Sequence, residues 1–303
     1  MTGRPRRCVQ PFRLVRFAYG LGAPRVVAPS SRVSTMTESR RLDIAPWAPS
    51  VRSYANWIDR RSPSTARLWA RRLNSTVDAT IEGAVAEAVA WDFIANRVDE
   101  IAAGDVSTGG PDFRCRSAAA EFFVEVTNIA RSVVTEHTGL SEFPSGFFRH
   151  GDLTALIKRE VCSKAGRARQ LEVPYVVMVT TLHRGAADCV SRAHVEHVLH
   201  STTALSGDFD VELGEVVGPL HQVTRMEMSS FTRRYSTDPM RRNVSAVLVA
   251  GFGTYPDVHV LGVLHPDPVR PLDTSGLPDV PFCQFLVWPP DPRVVVGWST
   301  PEP

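Results

Sequence analysis

The sequence predicts an α/β fold: a mixed central sheet flanked by helices, with a β-rich C-terminal extension. Three observations predict it. Apolar residues recur at helical spacing over 77–100 and again after residue 152. Two runs of strand-forming residues, 121–128 and 175–181, lie between and after those segments. Beyond Asp208 the helical periodicity gives way to short apolar runs and turns, and 11 of the 23 prolines fall in the last 48 residues.

The elements follow in chain order. Residues 1–36 are rich in Arg, Ser and Pro, poor in acids, and end just before Met36, a second start. They read as an over-extended start, a disordered basic tail or a transit peptide, the first two preferred, and are set apart from the fold. From 54 to 73 arginines alternate with Trp57, Ile58, Leu68 and Trp69, the pattern of one or two amphipathic helices broken at Pro63. The basic face formed by Arg60, Arg61, Arg67, Arg71 and Arg72 reads as an ordinary solvated helix surface, with phosphate contact as the lesser alternative. Ile81, Val85 and Val89 place a helix over 77–100 that carries Glu82 and Glu87. Gly109, Gly110 and Pro111 end it.

Residues 112–116, 117–120 and 121–128 then read as strand, turn and strand, a β-hairpin. Alternation puts Phe123, Glu125 and Thr127 on one face and Phe122, Val124 and Val126 on the other, so Glu125 is not on a simply polar surface. Residues 129–151 read as an irregular loop. Leu153, Leu156, Ile157, Val161, Ala168 and Leu171 next trace a helical stripe over an arc from about 300° to about 80°. Lys164, at about 20°, and Glu160, at about 340°, fall inside that arc, and Lys158, at about 140°, falls outside it. Lys164 is therefore expected to point inward, where its ammonium needs a partner: Glu160 one turn earlier, or another group of the fold. Pro174 opens a β-branched run that reads as a strand buried on both faces, a helix with His194, His197 and His200 follows, and 244–250 is a further strand.

Composition narrows the function classes. At 43% hydrophobic and 22% charged the chain has the proportions of a globular protein, which excludes disorder or a fibrous repeat for its bulk. No stretch approaches the roughly 20 apolar residues of a membrane span. Five widely spaced cysteines, without a CxxC pair or a Cys-His cluster, fit a reducing, cytoplasmic setting. Residues 1–37 hold seven arginines and no acid, so the remaining body carries 27 basic and 32 acidic groups. A body of net charge −5 does not attract polyanions through its overall field, and any nucleic-acid contact must be local. Of 34 basic residues 32 are arginine, which makes Lys158 and Lys164 conspicuous.

Set in order, the pieces are a helix with glutamates, Pro111-Asp112-Phe113, a hairpin, Val124-Glu125-Val126-Thr127, a helix with an inward lysine, and a buried strand. This order resembles the core of the PD-(D/E)xK nuclease superfamily, the restriction-endonuclease-like fold, over residues 77–182, about a third of the chain. Pro111-Asp112 matches the PD element and Glu125-Val126-Thr127 the (D/E)xK element. The resemblance implies a Mg²⁺- or Mn²⁺-dependent phosphodiesterase acting on nucleic acid, DNA before RNA. Asp112 and Glu125 would be its metal ligands, and Glu87 or Glu82 an accessory ligand, with Glu87 preferred. The chemistry suits the residue types: paired carboxylates hold a hard divalent cation, and a lysine stabilises charge developing on a phosphodiester. The motif lysine is absent, because its position is Thr127, and Lys164 on the neighbouring helix is the replacement the resemblance suggests. The competing reading is a catalytically inactive nuclease-like module that binds nucleic acid or protein.

Other constellations are weaker. Histidines at 194, 197 and 200 sweep about 120° of a helix and read as a polar face rather than a metal site. Gly251-Phe252-Gly253 reads as a strand-end turn, not a dinucleotide fingerprint. Arg225, Arg233, Arg234, Arg241 and Arg242, interleaved with Phe231 and Tyr235, are the densest basic stretch outside the tail, and Arg233, Arg234, Arg241 and Arg242 are the candidate nucleic-acid contacts. The organisation expected is a nuclease-like α/β core over 54–205 and a β- and loop-rich portion over 206–303 packed on it.

Overall fold

The computed structural model describes residues 42–104, 110–140, 150–166, 171–200, 203–210, 215–224, 229–233, 236–253, 256, 258–289 and 296–299. Gly109, Arg225, Arg234, Tyr235, Ala168 and residues 1–36 lie outside them. The elements run α1 (Ala48–Arg61), α2 (Pro63–Leu73), α3 (Asp78–Ala95), β1 (Glu100–Ala103), β2 (Phe113–Arg116), β3 (Glu121–Asn128), α4 (Arg131–Thr138) and α5 (His150–Lys164). They continue with β4 (Tyr175–Thr181), α6 (Arg184–Ala187), α7 (Arg192–Leu199), β5 (Thr203–Asp210), β6 (Glu215–Thr224), β7 (Ala246–Gly251), β8 (His259–Leu264), β9 (Phe282–Phe285) and β10 (Val296–Trp298).

The fold is α/β. One eight-stranded mixed sheet has the order β1-β2-β3-β4-β7-β8-β9-β10, and β5 and β6 pair separately. It is wider than the core implied by the resemblance, because β7 pairs parallel with β4 and β8 to β10 continue the same sheet. The strands from β7 onward thus extend the sheet edgewise, whereas β5 and β6 do not join it. The β2–β3 hairpin forms with Phe113 opposite Val124 and Arg116 opposite Glu121.

Helices cover both faces of the sheet. Val176, Met178, Ala246 and Leu248 meet the α1–α3 layer on one side, and Tyr175, Val177, Val179, Val247 and Val249 meet α4, α5 and α7 on the other. With both faces covered, every residue of β4 and β7 is buried, and near-continuous apolar runs are what such strands require. α3 is sandwiched between the sheet and α1–α2, which explains its uniform apolar character: Ala84, Val85, Ala86, Ala88, Val89 and Ala90 are all buried.

Three expectations need correction. Part of the expected loop over 129–151 is helical. α4 lacks a side-chain N-cap of its own, and Glu82 supplies one from α3: its Oε2 accepts from the Arg131 backbone N–H at 2.8 Å and its Oε1 from Arg131 Nε at 3.0 Å. The strand β1, pairing antiparallel with β2, was not anticipated. His194 and His200 are buried rather than on a polar face. No helix among the described residues is long and apolar enough to cross a membrane, and Cys115, Cys162, Cys189 and Cys283 are free thiols.

Candidate active site

β3 is twice as long as β2, and their pairing stops at Phe113 opposite Val124. Past that point β3 keeps β4 on one side and, among the described residues, has no strand on the other. Asp112, the residue before β2, fills the gap with its side chain: its Oδ2 accepts from the Val126 backbone N–H at 2.7 Å, a donor the hairpin leaves unpaired. A cavity of about 270 Å³ opens there, near the carboxyl end of β3, the usual ligand position in sheets with parallel strands. Asp112, Glu125, Thr127, Glu87, Lys164 and Arg72 all line it.

These side chains come from α2, α3, β3 and α5 and from the residue that precedes β2. Glu125 and Thr127 project from β3 toward α5, where Glu160 and Lys164 sit one turn apart and meet them as two cross-pairs. Lys164 Nζ donates to Glu125 Oε1 at 2.8 Å, and Thr127 Oγ1 donates to Glu160 Oε2 at 3.0 Å. Lys164 does point inward, and its partner is Glu125 rather than Glu160. Glu87 enters from α3, with Oε1 accepting from the Tyr54 hydroxyl at 2.6 Å and Oε2 from Arg72 Nη1 at 2.5 Å. Gly83, one turn before Glu87, clears the path for that guanidinium: a Cβ there would stand 3.3 Å from Arg72 Nη2.

The electrostatics follow from burial. Asp112 is pushed up to about 8, first by desolvation and then by the charges of Glu87 and Glu125, with the Val126 hydrogen bond and the Lys164 charge opposing. Burial and the adjacent Glu87 hold the Tyr54 phenol protonated, well above its ordinary range. Three carboxylates thus crowd a site that contains two cationic side chains.

Such a set of hard, mutually repelling oxygen donors fits a divalent cation like Mg²⁺ or Mn²⁺, which would relieve the repulsion. As arranged, no group of three His, Cys, Asp or Glu among the described residues converges enough to hold a metal ion. Glu87 is turned to Tyr54 and Arg72, and Glu125 to Lys164.

The remaining sequence candidates lie elsewhere. Glu82 is absent from the cavity lining, engaged instead by Arg131. Lys158 donates to the His200 carbonyl at 3.3 Å, and burial lowers its ammonium to about 8. Arg241 donates to the Ser230 carbonyl at 2.6 Å and Arg242 pairs with Asp267 at 3.0 Å. Phe231, read as an interleaved aromatic, is fully buried against the His265 ring at 4.5 Å, so it presents no face to a base. Arg233 is exposed, and Arg234 lies outside the described residues. The residue missed was Arg72. Its sequence signal, an arginine on a basic helix, is shared by its neighbours; only the fold sets it beside Glu87.

No family model matches the chain. No curated protein and no solved structure matches it either.

Proposed function

We propose that the protein is a metal-dependent phosphodiesterase of the restriction-endonuclease-like class, acting on DNA. The observation that carries the reading is the Lys164–Glu125 contact inside a cavity shared with Asp112 and Glu87. The lysine missing from the motif position has a counterpart at the same carboxylate, supplied by α5. Element order adds support, since α3, the β2–β3 hairpin, α5 and the parallel β4 follow one another as they do in that class, although the sheet here is wider.

In this reading Asp112 and Glu125 hold the cation, with Glu87 as accessory. When bound, Mg²⁺ or Mn²⁺ supplies Lewis acidity and a more acidic bound water. The chain's own groups do the rest. Asp112 is fixed by the Val126 N–H, so its second oxygen, which accepts no hydrogen bond among the described residues, faces the cavity. Lys164 brings an ammonium to a phosphodiester placed there, and Thr127, its hydroxyl hydrogen committed to Glu160, can accept from a water but cannot replace that charge.

The second reading, a catalytically inactive module, is favoured by the engagement of both Glu87 oxygens by Tyr54 and Arg72. Titration calorimetry with Mn²⁺ on wild type and Asp112→Asn separates the two. The nuclease reading expects binding that the substitution abolishes, whereas a folded wild type that binds no divalent cation leaves the inactive module.

A further inference from the structure

The basic stretch over 225–242 is a poor candidate for polyanion contact, since its arginines and its aromatic are in part consumed within the fold. α1 and α2 are different. Ala48–Arg61 and Pro63–Leu73 together carry six arginines against the single acid Asp59, in a body whose net charge is negative. Arg60, Arg61, Arg67 and Arg71 are exposed, and none of them is in an ion pair among the described residues. By contrast Arg114, Arg116, Arg131 and Arg242 are each paired with a carboxylate.

Helical spacing orders the ridge. Trp69 is buried, and Arg67 and Arg71, one turn and about 6 Å apart, lie on the opposite, outward side of α2. Arg72 is on the flank between them and the core, and it alone enters the cavity, where it meets Glu87. The positive surface therefore does not end at random: its last arginine is a wall of the cavity that holds the clustered carboxylates.

We propose that the α1–α2 arginine ridge, entering the cavity through Arg72, is the surface along which the protein holds the phosphodiester backbone of a nucleic acid. The inference takes its direction from the nuclease reading of the cavity. A local stripe of guanidinium groups in a net-negative body concentrates a polyanion on one side of the site, and its contacts to phosphate are independent of base sequence. The same geometry assigns Arg72 two partners, the Glu87 carboxylate in the structure and a backbone phosphate when nucleic acid is bound, since its side chain is 43% exposed at the mouth.

The test is binding of the full chain to a labelled DNA duplex and to the RNA duplex of the same sequence, followed by fluorescence anisotropy in EDTA between 0.05 and 0.2 M salt, roughly the range over which phosphate contacts dominate affinity. Arg67→Gln/Arg71→Gln is expected to lower the slope of log affinity against log salt by about two and to weaken binding roughly tenfold or more at 0.1 M salt. Arg72→Gln should lower the slope by about one. Arg116→Gln, which loses only its Glu100 and Glu121 pairs, is the comparison and should leave both quantities unchanged. The seven arginines of residues 1–37 are present in every variant, so the differences report the ridge alone. Loss on either duplex or on both supports the inference and identifies the nucleic acid. Variants that melt like wild type and bind both duplexes like wild type overturn it. Because EDTA removes any requirement for cleavage, a failed nuclease reading would still leave ridge-dependent binding, and the two failures are distinguishable.

Discussion

Replacing Lys164 by Met isolates the contact on which the site depends. Met keeps the aliphatic stem and removes the charge, leaving the Glu125 carboxylate, 1% exposed, in a cavity already crowded by Asp112 and Glu87. Removing one member of a buried pair typically costs 3–5 kcal/mol, because the other charge stays behind uncompensated. The Lys164 side chain is 19% exposed at the cavity edge, so water recovers part of that, and the expected loss is about 2–3 kcal/mol. At roughly 2–4 °C per kcal/mol for a body of this size, the melting temperature falls by about 4–12 °C. Urea denaturation of wild type, Lys164→Met, Glu125→Gln and the double variant measures it, and the double variant should lose less than the sum of the singles. Added Mg²⁺ should stabilise Lys164→Met, since a cation among the carboxylates stands in for the missing ammonium. A loss below about 0.5 kcal/mol with additive singles would refute the reasoning, because the pair would then be a solvated surface contact.

Other consequences are independent of that pair. Glu82→Gln removes the charge that caps α4, and urea denaturation should show a loss of about 2 kcal/mol, typical of hydrogen bonds to a charged group. Gly251→Ala places a Cβ within 2.8–2.9 Å of Ala187 backbone atoms, so α6 must shift; a loss of about 1–3 kcal/mol is expected by the same assay. His265 is buried, accepting from the Asp267 N–H at Nδ1 and contacting the Met240 carbonyl through Nε2, and burial lowers it to about 4. The unfolded state then binds the extra proton between about pH 6.5 and 4, so this stabilisation is fully present above pH 6.5 and is lost as pH falls toward 4. The change is on the order of 3 kcal/mol, and it should be largely missing from the stability–pH profile of His265→Gln.

What was legible in the sequence is what local pattern encodes. The 3.6-residue stripe set α5 and the inward Lys164, period-two alternation set the faces of β3, and Pro63 and Pro174 marked element boundaries. What was not legible depends on residues far apart in the chain. α4 is capped by a glutamate 49 residues upstream, so no N-cap signal precedes it. β1 is four residues with Ile101 as its one buried position, too short and too exposed to read. The partner of Lys164 turned on which strand passes under α5, not on helical spacing to Glu160. Arg72 and Arg242 look alike in sequence; one reaches a cavity carboxylate and the other a loop aspartate only because of where α3 and the loop after β8 lie.

Metal-dependent phosphodiester cleavage at the proposed Asp112–Glu125–Lys164 site is to be measured by plasmid nicking in Mg²⁺ or Mn²⁺ with wild type and Asp112→Asn. Wild type should nick the plasmid, and nicking should disappear in EDTA and in Asp112→Asn. Equal nicking by both proteins, or none by a folded wild type in either metal, would contradict it.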